Sequence, residues 1–335
     1  MRAENFQGLL TSELFRRVLV EPFERGANEL QIVSGYGSPA MLTRHREELF
    51  RRFKRLPAIE LVCGMTGIEG ILEASHLGFL SLQSRYPLEL SVSYLRPPRS
   101  NHSKIYVWSR DGKPVEAFLG SANYSQFGFG TVARSASHSE SMLAMDPDLA
   151  AAYWLEVSPH VITCDDPDAE RVVGIKKRAA EARVFETDDP AEPRWGEPAV
   201  RIPLFIEREN RIHDKSGLNW GQREGRDPNQ AYIPVPRSLQ RSEAQEGFFP
   251  ERGRHFQVVT SDGRGMVLVV AQDNGKALQT PEDNAQLGEY FRERLGVASG
   301  APVNLSDLDR FGSRYVTFYR VDDETYLMHF EPDDG

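Results

Sequence analysis

The sequence predicts an α/β (α+β) domain with a mixed sheet flanked by helices, followed by a second, all-β domain. Three observations support this division. Strand and helix patterns alternate over residues 6–157, short strand patterns dominate from residue 201 onward, and a charged, proline-containing stretch lies between them. We therefore place the domains at 1–165 and 201–335, with 166–200 as a linker that contains a short helix.

The first domain begins with a helix pattern at 6–27, where apolar residues recur every three or four positions. Strand patterns at 30–37, 59–65 and 88–94 alternate with helices that begin at 38 and at 68, and a last helix covers 148–157. The later part of the second helix is strongly basic, and both a solvated helix face and contact with phosphates remain open for it. This order predicts a sheet with helices on both faces.

The second domain consists mainly of short strand patterns separated by Gly, Pro and Asp turns. They lie at 200–206, 232–235, 255–260, 266–271, 315–320 and 326–330, and residues 284–295 form the one clear helix pattern. A small β-barrel with one helix is the architecture that these elements indicate.

Composition limits the possible functions. The chain of 335 residues is 40% hydrophobic and 27% charged, as is ordinary for a globular protein. No run approaches the roughly 20 apolar residues of a membrane span, and no apolar signal segment opens the sequence. Cys63 and Cys164 are too few and too far apart for a disulfide or zinc framework, so we expect a cytoplasmic protein. The net charge of −9 means that any DNA-binding surface has to be local.

The residues most informative about chemistry lie in a predicted hairpin. Asp111-Gly112 is the two-residue signature of a type I′ turn between residues 101–108 and 120–123. This turn would place Trp108 opposite Val115 and Tyr106 opposite Ala117. It would also gather four polar side chains at the open end of the hairpin, with Lys104 opposite Leu119 and His102 opposite Ser121. These four are His102, Lys104, Ser121 and Asn123.

This set of side chains suits a phosphate group. Lys104, Ser121 and Asn123 can bind phosphate oxygens while the imidazole of His102 attacks phosphorus. The cluster has no carboxylate pair and no metal-ligand spacing. The alternative is a polar hairpin end with a surface histidine.

The pattern His-x-Lys followed by Gly-Ser-x-Asn resembles the signature of the phospholipase D (PLD) superfamily. The resemblance implies that His102 forms a covalent phosphohistidine, that a second histidine is the general acid, and that no metal is needed. One departure is that the fuller motif has an aspartate where this sequence has Ser109. The resemblance allows a later acidic residue to orient the histidine, and Glu140 is the candidate; the alternative is a solvated glutamate at the start of a strand.

Two polar loops of the second domain are candidates for DNA contact. Residues 216–229 contain several glycines, which make the backbone flexible. The side chains there that can pair with base edges or anchor the loop are Asn219, Trp220, Gln222, Arg223 and Arg226. Residues 272–279 form the other loop, with Asn274 and Lys276 as its candidates. We expect the two loops to hold a major groove from both sides; ordinary surface loops are the alternative.

The turn and loop pattern of the C-terminal part resembles the DNA-binding pseudobarrel of plant transcription factors. The whole chain resembles type II restriction endonucleases that join a PLD-type nuclease domain to such a pseudobarrel. This resemblance implies double-stranded DNA as the partner. It leaves open an ATPase or translocase subunit and a cognate methyltransferase.

A second His-x-Lys, His213-Asp214-Lys215, has no Gly-Ser-x-Asn after it, and we do not expect it to be catalytic. With one complete motif per chain, the mechanism of the superfamily requires a homodimer that shares one active site on its symmetry axis. The sequence therefore predicts a sequence-specific, metal-independent DNA phosphodiesterase. The alternatives are a DNA-binding regulatory protein with an inactive nuclease fold and a lipid-directed phospholipase, although no amphipathic membrane helix is visible.

Overall fold

A computed structural model describes residues 8–130, 139–176, 199–236, 239, 247–281, 283–321 and 324–333. The chain forms two compact units, Met1–Lys176 and Lys177–Gly335. Most of the predicted linker, residues 177–198, lies outside the described residues.

The first unit contains a mixed sheet, as predicted. In chain order, the strands of the unit are β1 (Leu9–Leu10), β2 (Glu29–Ser34), β3 (Ala58–Cys63), β4 (Ile71–Leu72), β5 (Leu90–Leu95), β6 (Lys104–Arg110), β7 (Lys113–Gly120), β8 (Met142–Met145), β9 (Val161–Thr163) and β10 (Ile175–Lys176). Among the described residues, eight strands form one sheet in the order β1-β8-β7-β6-β2-β3-β5-β9. Within it β2, β3 and β5 run parallel and the other neighbours run antiparallel. Strands β4 and β10 form a separate parallel pair.

Helices cover both faces of this sheet, which also agrees with the prediction. They are a π-helical segment at Phe15–Val20, α1 (Glu21–Glu24), α2 (Pro39–Phe53), α3 (Thr66–Glu69), α4 (Glu73–Arg85), α5 (Pro147–Val157), a 3-10 turn at Ser158–His160 and α6 (Ala169–Val172). Met41 of α2 and Phe79 of α4 pack in one core with Ile32, whereas Trp154 of α5 packs in another core with Val33. Consecutive strand residues point to opposite faces, so the two cores lie on opposite sides of the sheet.

Helix α2 begins as the sequence predicts. The Ser38 hydroxyl accepts a hydrogen bond from the third helical residue, and Pro39 occupies the first helical position. The basic part of α2 is engaged within the unit: Arg46 is 1% exposed and lies beside Glu89, and two arginines of the last turn pair with Glu48. These contacts favour a structural or solvated role for the basic run over phosphate binding.

Two predicted helices have different bounds in the structure. The first was expected at 6–27, but β1 occupies Leu9–Leu10 and helical structure begins at Phe15. The helix predicted to begin at residue 68 was expected to continue from Ile68 to Leu82, but it is interrupted at Gly70, which has a φ of +70°. A Cβ built on Gly70 would lie 2.1 Å from the carbonyl oxygen of Gly174. The chain has to approach this closely because β4 pairs with β10 there.

The first unit extends beyond the predicted boundary at residue 165. Ala169 and Val173 are fully buried and belong to its main core, and Ile175 pairs with Ile71. The short helix expected inside the linker is α6, and it therefore forms part of the first unit.

The second unit contains a nearly closed barrel, as predicted. Its strands are β11 (Ala199–Pro203), β12 (Ile233–Pro234), β13 (His255–Thr260), β14 (Gly265–Ala271), β15 (Ala277–Gln279), β16 (Tyr315–Arg320) and β17 (Thr325–His329). They form one sheet in the order β11-β16-β17-β13-β14-β15-β12, and the two edge strands approach each other. Strands β13 and β17 are parallel and the other neighbours are antiparallel.

Two helices accompany the barrel, α7 (Ala285–Leu295) and α8 (Leu305–Phe311), together with 3-10 turns at Gly217–Gln222 and Asp273–Gly275. Helix α7 matches the prediction. Helix α8 was not predicted, although Asn304 and Asp307 form a capping box at its start and Gly312 ends it. Within the residues that the structure describes, no helix is long and apolar enough to cross a bilayer.

Candidate functional site

The turn that joins strands β6 and β7 has the predicted type. Asp111 and Gly112 have φ angles of +50° and +76°, and Arg110 pairs with Lys113. Positive φ at both central residues is the geometry of a type I′ turn.

Beyond the turn the predicted register is wrong by one residue. Ser109 pairs with Pro114, but Trp108 pairs with Glu116, so Val115 is an extra residue in a β-bulge. Pro114 cannot donate a hydrogen bond to the ladder, and prolines within sheets concentrate at edges and bulges.

The bulge changes every predicted pair closer to the open end. Ala117 pairs with Val107 rather than with Tyr106, and Leu119 pairs with Ile105 rather than with Lys104. Continued to the open end, this register also rules out the pairing of His102 with Ser121.

Three of the four predicted site residues nevertheless meet at one point, the end of β2. A Cβ built on Gly35 would lie 2.9 Å from Cδ2 of His102, 3.3 Å from Oδ1 of Asn123 and 3.4 Å from Nζ of Lys104. The glycine leaves room for these side chains to converge. An imidazole, an ammonium and a carboxamide thus surround one small space, as the sequence predicted.

Lys104 forms the buried side of this cluster. It is 5% exposed, and its Nζ donates a 2.6 Å hydrogen bond to the carbonyl oxygen of His102. Burial lowers the pKa of Lys104 below its ordinary value, and the nearby Glu140 partly opposes this shift. A cation held in a poorly hydrated position attracts an anion more strongly than a solvated one does.

Asn123 is held by its carbonyl oxygen. Oδ1 accepts hydrogen bonds from the backbone N–H of Tyr36, at 3.2 Å, and from the Ser34 hydroxyl, at 3.5 Å. Among the described residues its Nδ2 has no hydrogen-bond partner, so this group is available to donate to a phosphate oxygen.

Ser121 and Glu140 interact with each other. The Ser121 hydroxyl donates to the Glu140 carboxylate and accepts a 3.0 Å hydrogen bond from the backbone N–H of Ser141. Within the described residues no hydrogen bond joins the His102 ring to Glu140. The charge of Glu140 instead raises the pKa of Lys104, against the effect of burial. The role predicted for Glu140, orienting His102, stays a prediction.

Tyr153, which the sequence analysis missed, holds the residues on both sides of His102. Its hydroxyl accepts a 2.8 Å hydrogen bond from Nδ2 of Asn101 and is 3.0 Å from the hydroxyl of Ser103. Tyr153 lies on α5, and nothing in the local sequence signals that α5 packs beside this loop. The His102 backbone is therefore fixed from a helix distant in sequence.

Tyr36 and Glu69 also lie at the site without having been predicted. The Tyr36 ring meets the His102 ring edge-to-face, with centroids 5.9 Å apart, and its hydroxyl donates to both carboxylate oxygens of Glu69, at 3.0 and 2.9 Å. No signal in the local sequence indicates that these two side chains meet beside His102.

In the second unit, two predicted DNA contacts serve the fold instead. Asn219 is 3% exposed, and its carboxamide exchanges two 2.8 Å hydrogen bonds with the backbone of Val303. Gln222 donates to the carbonyl oxygens of Pro228 and Gly300, both at 3.1 Å. These side chains are occupied in shaping the loop, so we withdraw both from the set of base-contact candidates.

Two other predicted residues of the 216–229 loop are exposed, and a third is half-buried. The exposed guanidinium of Arg226 stacks over the Trp220 ring at 3.9 Å and donates to Gln230, and Trp220 packs edge-to-face on Tyr232. Arg223 is exposed, and its Nε donates a 2.7 Å hydrogen bond to the carbonyl oxygen of Lys215. Lys276 of the other loop is exposed as well. The side chain of Asn274 lies outside the described residues.

A buried arginine of α7 anchors the 216–229 loop. Arg292 is 1% exposed, and its guanidinium donates to backbone carbonyl oxygens at both ends of the loop and beyond it. The acceptors are those of Leu218, Pro228, Asn229, Gly288 and Ala301, at 2.8–3.3 Å. Burial lowers the pKa of Arg292, with Asp227 and Glu289 opposing the shift. The loop is thus held in one shape from inside the unit.

The second His-x-Lys forms a local turn in this unit. Nδ1 of His213 accepts a 3.1 Å hydrogen bond from the backbone N–H of Lys215. Across the described residues of both units, no group of three or more His, Cys, Asp or Glu side chains is arranged to hold a metal ion.

Two family descriptions match the chain, one for each unit. Residues 12–171 match "NgoFVII restriction endonuclease N-terminal PLD domain", and residues 198–322 match "NgoFVII C-terminal B3-like DNA-binding domain". The chain belongs to the NgoFVII family of restriction endonucleases. This membership places it among the endodeoxyribonucleases and gives it DNA as a partner.

Other comparisons add little to the NgoFVII-family assignment. No curated protein matches the chain. Among solved structures, the crystal structure of polyphosphate kinase from Porphyromonas gingivalis is similar at 17% sequence identity with a TM-score of 0.29. That match covers 50% of this chain and 26% of the kinase chain, so this protein spans about a quarter of the length of that relative.

Proposed function

We propose that this NgoFVII-family protein is a sequence-specific, metal-independent DNA phosphodiesterase that cuts through a phosphohistidine intermediate. The observation that carries the proposal is the convergence of His102, Lys104 and Asn123 on the space beside Gly35. A nucleophile, a buried cation and an amide donor are the groups that a phosphoryl-transfer site of this kind needs.

The reaction would proceed in two displacements at phosphorus. A neutral ring nitrogen of His102 forms the N–P bond, the P–O bond to the leaving oxygen breaks, and that oxygen takes a proton from His102 of a second chain. A water molecule then attacks phosphorus, the N–P bond breaks, and the second His102 takes the proton of the water. Since one histidine has to be neutral and the other protonated, the rate should follow a bell-shaped pH profile.

The other residues would stabilise the charge on the phosphoryl oxygens. Lys104 and the Nδ2 group of Asn123 bind non-bridging oxygens, and the Ser121 hydroxyl does so after exchanging its bond to Glu140. Glu140 supports Lys104 electrostatically and, as the sequence analysis predicts, orients His102 when the site is assembled.

The proposed active unit is a homodimer. The described residues of one chain contain a single cluster of this type, and the His213 turn lacks the donors that surround His102. Two chains related by a twofold axis would therefore bring their His102 residues to one phosphodiester group.

Sequence recognition is assigned to the second unit. Arg223 and Arg226 on one loop and Lys276 on the other present exposed groups that suit base edges and phosphates, and the half-buried Trp220 ring supports Arg226. A cognate methyltransferase that protects the same sites, and a cytoplasmic location where invading DNA is met, belong to this proposal.

The test is incubation of the purified chain with plasmid and phage DNA in EDTA, comparing wild type with His102→Ala and His213→Ala. We expect discrete fragments from wild type and His213→Ala and none from His102→Ala, which should still bind DNA. Cleavage by His102→Ala would refute the mechanism, and a requirement for a divalent cation would refute metal independence. If wild type binds specific sites without cutting, an ATP-driven translocase subunit is to be added next.

The dimer is tested by mixing. Wild-type chains co-expressed with an excess of His102→Ala chains should lose activity beyond simple dilution, because mixed dimers have only one of the two histidines. Analytical ultracentrifugation should give twice the chain mass of 37.9 kDa. Activity that falls only in proportion to the wild-type fraction would contradict a shared site.

A further inference from the structure

Tyr36 is fixed at three points around the candidate site. Its backbone N–H donates to Asn123 at 3.2 Å, its carbonyl oxygen accepts from the Ser34 hydroxyl at 2.6 Å, and its side-chain hydroxyl donates to Glu69. The ring is nevertheless 43% exposed. A large aromatic side chain held this firmly at the surface has little rotational freedom left.

The ring of Tyr36 is in contact with the ring of His102. The two rings lie 5.9 Å apart between centroids at an angle of 81°. The His102 side chain is itself exposed, and among the described residues its ring nitrogens make no hydrogen bond. Both nitrogens are therefore free for chemistry, and the ring lies between Gly35, on its Cδ2 side, and the ring of Tyr36.

We propose that Tyr36, tethered by Glu69, is a positioning residue that sets the direction of the His102 imidazole. The inference rests on the proposed function of His102. The Tyr36 ring lies against one side of the imidazole and restricts rotation about its Cα–Cβ and Cβ–Cγ bonds, while Tyr153 fixes the backbone below it. Glu69, the last residue of α3, keeps Tyr36 in place.

Direction matters twice in the proposed reaction. The attacking nitrogen has to lie near the line of displacement at phosphorus, and the same residue in the second chain has to present its proton to the leaving oxygen. A near-attack geometry lost in even part of the population lowers the rate without weakening substrate binding. Burial and, to a smaller extent, the hydrogen bond to Glu69 raise the pKa of Tyr36, so the phenol stays neutral and brings no additional charge to the phosphate site.

Three variants of full-length protein separate the ring contact from the tether. We expect Tyr36→Ala to lower the single-turnover cleavage rate constant about thirtyfold with an unchanged dissociation constant for DNA. Tyr36→Phe keeps the ring and should lose only about threefold, and Glu69→Gln should behave like Tyr36→Phe. The matched control is Tyr315→Phe, which removes a 3.2 Å phenol–glutamate hydrogen bond in the second unit and should leave the rate unchanged.

A second measurement reports position without relying on cleavage. In protein with isotope-labelled histidine, the His102 ring signals, assigned by their loss in His102→Ala, should show increased ring motion in Tyr36→Ala and nearly wild-type motion in Tyr36→Phe. A Tyr36→Ala protein with a rate within twofold of wild type, or with unchanged ring motion, would overturn the inference. Continued cleavage by His102→Ala would instead refute the proposed function, and the ring-motion experiment would still decide whether Tyr36 positions His102.

Discussion

Gly35→Ala should separate activity from stability at the centre of the site. The added methyl carbon would lie 2.9 Å from Cδ2 of His102, where carbon atoms prefer about 3.5–4.0 Å. The imidazole therefore has to move by roughly 0.6–1 Å. Because His102 is exposed, its ring can swing toward solvent and the fold can accept the methyl group.

The expected magnitude follows from this displacement. A misplacement of about 1 Å in a reacting group can cost about a hundredfold in rate, or about 2.7 kcal/mol in activation free energy. Gly35 does not have a positive φ, so alanine can adopt its backbone conformation. Replacing glycine at such a position stabilises by about 0.4–1 kcal/mol through the unfolded chain, which offsets the contact. We expect a tenfold to hundredfold lower cleavage rate and an unfolding temperature close to that of wild type.

The assay is single-turnover cleavage of a DNA fragment that carries the mapped site, together with thermal unfolding by circular dichroism. Gly174→Ala is the matched control, because a Cβ at that position would meet nothing within 4 Å. Wild-type cleavage by Gly35→Ala would show that the space beside Gly35 is not where the phosphate reacts. A large drop in unfolding temperature would show that the clash is absorbed by the fold rather than by His102.

Four further substitutions test other parts of the structure. Burial lowers the pKa of Lys104, so its charge costs stability at neutral pH, and Lys104→Met should raise the unfolding temperature at pH 7 while abolishing cleavage. In wild type, cleavage should decline and folding stability should increase as the pH rises through that lowered pKa. A Lys104→Met variant that is less stable than wild type would contradict this reasoning. Tyr153→Phe should lower the cleavage rate several-fold and stability by about 1 kcal/mol in urea unfolding, because His102 loses its backbone support; an unchanged rate would remove Tyr153 from the site. Asn219→Ala should cost about 2 kcal/mol of stability, whereas Arg226→Ala should leave urea unfolding unchanged and weaken specific DNA binding by about 1–3 kcal/mol in fluorescence anisotropy. The reverse result for this pair would exchange their assigned roles.

The convergence of the candidate site residues was predictable because it depends on residue types at short spacing. His102, Lys104 and Asn123 lie within one hairpin, and the Asp-Gly turn that joins its strands is a strong local signal. The pairing within the hairpin was not predicted correctly. Pro114 was the overlooked signal, since a residue without an N–H in a strand favours the bulge that shifted every later pair.

Contacts made between distant segments were not predictable. Tyr36, Glu69 and Tyr153 reach the site from the turn after β2, from α3 and from α5, and their positions depend on how these elements pack. The same limit applied in the second unit. Asn219 has the chemistry of a base contact, but only its burial against Val303 reveals that it is already bonded.

Arg292 fixes the backbone of the 216–229 loop without using the exposed side chains that the proposed function assigns to DNA contact. Its guanidinium spans several carbonyl oxygens at once, which the single ammonium of a lysine cannot reproduce. Arg226 extends from this scaffold with an exposed side chain, whereas Arg223 also donates a 2.7 Å hydrogen bond to the carbonyl oxygen of Lys215 and Trp220 is half-buried against Tyr232. Under the proposed function, exchanging the exposed positions Arg223 and Arg226 should change the target preference. A library that randomises them while retaining Arg292 would sample new DNA sequences on an unchanged backbone.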